Sequence, residues 1–149
     1  IKIKSITMSK KNNVISAIKS SWKDLQKSLT EFSYDKLAQQ DSSFSNQVLN
    51  TLYEISLKEI SVINNISSEN MSNKKPLKIK SNKENIRVSF RNSLISLTET
   101  HDTLIKMLTS QEENIFTNNS PKRLIIDQGT FYNYLQAKKD ISELSENIS

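Results

Sequence analysis

From Val14 onward the apolar positions fall at Ile15, Ile18, Trp22, Leu25, Leu29 and Phe32, a spacing of three and four residues repeated without a miss. That spacing keeps one face of an α-helix apolar and forms the seam of a coiled coil. After Phe32 the register slips by one residue to Leu37 and resumes through Phe44, Val48, Leu52, Ile55, Val62 and Ile66, with Glu59 taking one seam position. The pattern predicts one long helix over 11–67, about 80 Å in length if it is continuous. The slip predicts a kink between 34 and 43.

The stretch 68–85 has no periodicity, carries Pro76 and is dense in Ser, Asn and Lys, the marks of a loop or linker. A second helix is predicted over 86–116, where Phe90, Leu94, Leu97, His101, Leu104, Leu108, Gln111 and Ile115 share a face. Ile95, Ile105 and Met107 widen its apolar stripe, so this helix calls for two neighbours. Asn118-Asn119-Ser120-Pro121 is a stop followed by a start, because Ser120 can cap and Pro121 suits a first helical turn. A third helix is therefore predicted over 121–149, with Gly129-Thr130 as an interruption and Tyr134, Ala137, Ile141, Leu144 and Ile148 at heptad spacing. Short links favour antiparallel neighbours. The expected fold is all-α: an elongated antiparallel helical bundle or coiled coil of about three helices, the first the longest.

Composition supports helices and a thin core. Only 35% of the 149 residues are apolar, and one Gly and two Pro cannot furnish the tight turns of a sandwich, barrel or α/β fold. No cysteine is present, so there is no disulfide framework or thiolate metal site, which fits a reducing compartment. No apolar run approaches the roughly 18 to 20 residues of a membrane span, and the alternating Ile1-Lys2-Ile3-Lys4 opening leads into no apolar signal region. The Asn-x-Ser triplets at Asn65 and Asn70 are what an Asn/Ser-rich chain makes by chance.

The net charge of +5 is unevenly placed. The first ten residues form a basic lead-in with three lysines, whereas 11–67 balances six bases against six acids and 93–120 is net negative. Lys74, Lys75, Lys78, Lys80, Lys83, Arg87 and Arg91 stand against Glu69 and Glu84, leaving +5 over 69–92. These seven residues are the candidate contacts to an anionic membrane or other anionic partner, each lysine near an acidic bilayer contributing about 1 kcal/mol; the plain alternative is a solvated loop. Zinc-ligand spacing and helix-turn-helix patterning are both missing, which argues against nucleic acid. Catalysis has no support either: the sequence holds no Gly-rich phosphate loop, nucleophile motif or metal-ligand constellation, and no cofactor is expected. His101, the single histidine, lies on the second seam and reads as a hydrogen-bonded register device. Trp22 reads as a packing anchor. The helix–helix interface is assigned to Ile15, Ile18, Trp22, Leu25, Leu29, Phe32, Phe90, Leu94, Leu97, Leu104, Leu108, Ile141 and Leu144.

Trp22-Lys23-Asp24-Leu25 with Phe32, Phe90-Arg91-Asn92-Ser93-Leu94, and Tyr134 through Ile141 together resemble the BAR domains of fungal sorting nexins, over roughly 14–149. The resemblance implies three long helices in a curved antiparallel coiled coil, a dimer with itself or a related helical protein, and a cytoplasmic module peripheral on an endosomal or other anionic membrane. Two rivals share the same seams. One is a cytoskeletal, kinetochore or vesicle-tether subunit that meets other coiled-coil proteins; the other is a stand-alone bundle that recognises a helix or peptide in a groove. The first reading predicts a self-dimer, the second an obligate hetero-complex and the third a folded monomer.

Overall fold

The computed structural model describes residues 9–30, 42–67 and 86–146. Those residues form helices α1 (Lys10–Thr30), α2 (Ser42–Ile66), α3 (Ile86–Thr109), α4 (Pro121–Gly129) and α5 (Phe131–Glu146), with a 3-10 turn at Glu113–Phe116 between α3 and α4. Among the described residues there is no strand, so the all-α class holds. None of these helices is long and apolar enough to cross a membrane.

Local chemistry sets the helix ends. Ser9 begins α1 by accepting the Asn12 N–H on its hydroxyl at 3.1 Å, satisfying one of the first-turn donors that a helix leaves unpaired. Pro121 opens α4 with Ser120 extended before it, but the Ser120 side chain makes no cap; the Arg123 N–H reaches the Ser120 carbonyl instead. α3 stops at Thr109, short of the predicted 116. The Ser110 hydroxyl donates to the Met107 carbonyl at 2.6 Å and closes the last turn. The 3-10 turn that follows places Ile115 and Phe116 together in the core.

The predicted single rod over 11–67 is corrected. Trp22 of α1 and Glu59 of α2 both touch His101 of α3, whereas a straight helix would hold 22 and 59 about 55 Å apart. The chain therefore reverses between α1 and α2. The kink placed at 34–43 falls almost wholly on 31–41, outside the described residues. Of the described helices, α2 is the longest at 25 residues.

Helix directions depart from the expected antiparallel succession. α1 runs antiparallel to α3, since Lys11 Nζ donates to the Gln111 carbonyl at one end while Trp22 meets His101 further along. α2 runs parallel to α3: Glu59 meets His101, and beyond them Ile66 and Ser67 border the same groove as Met107, Ser110 and Gln111. α5 is antiparallel to α2, with Tyr134 on Glu59, Asn133 on the Ile55 carbonyl, and Asp140 and Glu143 facing Asn50 and Thr51. The order is thus up, down, down, up. A parallel α2–α3 pair has to be joined end to opposite end, about 37 Å along α2, and the segment 68–85 can reach about 60 Å when extended. Those residues lie outside the described set.

One continuous core unites the helices. α2 packs most extensively on α3, α1 on α5, and α2 also meets α4 and α5. Ile15, Ile18, Trp22, Leu25, Leu29, Phe90, Leu97, Leu104, Leu108 and Ile141 are buried in it, while Leu94 and Leu144 pack against it half-buried. Phe32 lies outside the described residues.

Gly129 fixes how closely α4 approaches α2. No glycine here has a positive φ, so backbone freedom is not the reason for it. A Cβ at 129 would overlap the Val62 side chain and lie 3.0 Å from the Lys58 carbonyl. Gly129→Ala is expected to destabilise the fold by about 1–3 kcal/mol through overpacking, read as a lower urea midpoint; an unchanged midpoint would mean that the α4–α2 contact gives way freely.

Candidate functional site

Three seams are each interrupted by a polar side chain, and the structure brings the three interruptions together. Glu59 from α2, His101 from α3 and Tyr134 from α5 meet in the middle of the core, with exposures of 0%, 4% and 2%. α1 closes the fourth side with Trp22, whose indole stacks on the His101 ring at 4.0 Å between centroids and 7° between planes. Tyr134 stands edge-on to His101 at 6.0 Å and tilted against Trp22 at 5.5 Å. Every long helix thus contributes one side chain.

Both hydrogen bonds to Glu59 fall on one oxygen. The Tyr134 hydroxyl donates to Glu59 Oε2 at 2.6 Å, and His101 Nδ1 lies 2.8 Å from the same atom. When Glu59 is ionised its oxygen accepts, and this contact then takes its proton from Nδ1. Nδ1 is also 3.1 Å from the Tyr134 hydroxyl, which makes the three groups mutually bonded. Glu59 Oε1 has no partner although it is fully buried.

Burial sets the electrostatics. Loss of water around Glu59 raises its pKa above the ordinary 4.5, against the opposing pull of His101 and the Tyr134 hydrogen bond; the charge of Asp102 adds to the rise. Tyr134 is pushed well above its ordinary 10, first by burial and then by the neighbouring Glu59. Beside this cluster a second set of bonds holds α5 in register: the Asn133 amide donates to the Ile55 and Gly129 carbonyls at 3.0 Å each, and the Thr130 hydroxyl to the Ile126 carbonyl at 2.7 Å.

Chemically the cluster is a hydrogen-bonded network closed to solvent. With Glu59 inaccessible, no substrate can reach its carboxylate in this conformation. Among the described residues no group of three or more His, Cys, Asp or Glu side chains could hold a metal ion. Glu59 and His101 each stand out in the sequence as a polar residue on an apolar seam, but nothing in their spacing says that they meet.

The predicted anionic-partner residues fall elsewhere. Lys74, Lys75, Lys78, Lys80 and Lys83 lie outside the described residues; Arg87 and Arg91 belong to the first turns of α3, and Arg91 is exposed. The structure therefore brings the core cluster together, while the five lysines belong to the stretch between α2 and α3 in the sequence. No family model matches the chain, and neither a curated protein nor a solved structure matches it, so fold and chemistry alone carry the functional reading.

Proposed function

We propose that this chain is a non-enzymatic helical binding module that folds alone as a four-helix bundle and engages an acidic membrane surface through the basic stretch 69–92. The observation that supports it is the closure of the seams within one chain. Ile18 and Leu25 are fully buried with no second copy present, so the core does not call for another molecule to cover them. What is left for a partner is the surface, and the surplus positive charge of the sequence is concentrated on 69–92. A dimer of the sorting-nexin type, acting in membrane trafficking, is the assembled form of the same idea; the closed core favours the monomer.

The test is sedimentation with vesicles beside light scattering for mass. The module is expected to be a monomer that pellets with acidic but not neutral vesicles and is released by salt, because exposed charges are screened over about 10 Å at 0.1 M. Reversing Lys74, Lys75, Lys78 and Lys80 to Glu should abolish pelleting and leave the helical circular dichroism unchanged. Protein that stays in the supernatant in every condition overturns the membrane reading.

A second reading has its own support. Leu124 on α4 and Tyr132 and Leu135 on α5 are 58%, 61% and 68% exposed, the kind of apolar surface a tether or scaffold subunit offers to another helical protein. Failure with vesicles would transfer the weight to that reading.

A further inference from the structure

The polar cluster beside α1 holds a carboxyl group with one bonded and one unbonded oxygen, and Trp22 of α1 stacks on the histidine that bonds it. We propose that Glu59, His101 and Tyr134 form a proton-operated latch: while the cluster carries its proton α1 stays seated with Trp22 on His101, and when the proton leaves, α1 lifts from the other helices. This device is independent of what the surface binds.

Geometry says why the proton matters. An ionised Glu59 is a negative charge in an apolar core, and only one of its oxygens is stabilised by donors. A proton on the Glu59 carboxyl removes that charge. The groups facing Glu59 are few. α3 presents His101 and, at longer range, Asp102; α5 presents Tyr134; α1, whose Trp22 lies on His101, and α4, which packs on α2, add no charge that acts on Glu59. Asp102 is acidic and makes the ionised state less favourable still.

Geometry also says which helix moves. Glu59 is bonded directly to α3 and α5, and Asn133 adds another tie between α5 and α2. α1 brings no hydrogen bond to the cluster and covers it with an indole face. Its polar ties to α3 and the 3-10 turn are at its first turn, through Lys11 to Gln111 and Glu113. Lifting α1 at Trp22 therefore breaks no hydrogen bond of the cluster, whereas separating α2 from α3 or α5 breaks the bonds that stabilise the carboxylate.

The sign follows from linkage. The folded-state pKa of Glu59 is raised, so between about 4.5 and that raised value the folded chain holds a proton that the unfolded chain has released. The stabilisation is complete below about 4.5 and is lost as pH rises through the raised value.

Trp22 is the only tryptophan in the chain, so its emission reports on the seat of α1 without labelling. The experiment follows Trp22 emission and amide exchange in the full chain as pH is raised from about 5 to about 9. The expected result is a red shift of the emission and a rise of about tenfold in the exchange of α1 amides, after correction for intrinsic rates, before those of α2 respond. Glu59→Gln, which keeps size and an acceptor but cannot titrate, should flatten both profiles. Tyr134→Phe removes a bond that favours the ionised carboxylate and should move the transition to higher pH, which keeps the test open if Glu59→Gln fails to fold. A wild-type profile that is flat, a Glu59→Gln profile that matches the wild type, a Tyr134→Phe midpoint that does not rise, or α1 and α2 opening together would each overturn the latch.

Discussion

Trp22→Ala is expected to lower stability by about 3–5 kcal/mol, a large share of the roughly 5–15 kcal/mol that holds a domain of this size. Two losses combine. The indole is 6% exposed and is the largest side chain that α1 buries, so its removal leaves a cavity between three helices. It also strips the cover from His101, on which it stacks at 4.0 Å, and admits water to the carboxyl beneath. Urea unfolding followed by circular dichroism measures the change. Trp22→Phe should recover more than half of the loss, because a ring can still stack; a drop below about 1 kcal/mol for Trp22→Ala would mean that α1 contributes little to the core.

His101→Ala should be about as damaging, at roughly 3–5 kcal/mol near neutral pH, for an electrostatic reason. Glu59 has two donors on Oε2 and none on Oε1, so taking away the imidazole leaves Tyr134 as its sole partner at 0% exposure. A buried charge that loses its partner costs more than the pair was worth. His101 is also among the influences holding the Glu59 pKa down, so its removal raises that pKa further. The deficit should therefore shrink as pH falls and Glu59 takes up a proton, and grow as pH rises. Replacing the network together, as E59M with H101L and Y134F, should recover most of the stability while abolishing its pH dependence. Equal loss in acid and base for His101→Ala would show that packing, not charge, is what His101 supplies.

How far the cluster was legible in advance differs residue by residue. Glu59 and His101 each interrupt an apolar seam, and a polar residue at such a position signals a hydrogen-bonded device. Tyr134 gave a weaker sign, since a tyrosine at heptad spacing is compatible with either core or rim. Their meeting at 2.6 to 3.1 Å was not visible, because it depends on which helices are neighbours. The Ile115-Phe116 turn was hidden for a related reason: both fit a helical face until the core at that end of α3 takes them up together.

Periodicity, the scarcity of Gly and Pro and the capping residues were enough to determine the helical class, the buried face of each helix and the start at Pro121. These are local properties, settled by a rise of about 1.5 Å and about 3.6 residues per turn. Direction and partnership were settled only by the tertiary structure. A three-and-four spacing reads the same whether a neighbour runs parallel or antiparallel, and an apolar stripe is satisfied by any apolar stripe of matching width. The reversal between α1 and α2, the parallel α2–α3 pair and the four-sided closure around Glu59 come from the one arrangement that buries all the stripes at once and gives the buried carboxyl its donors.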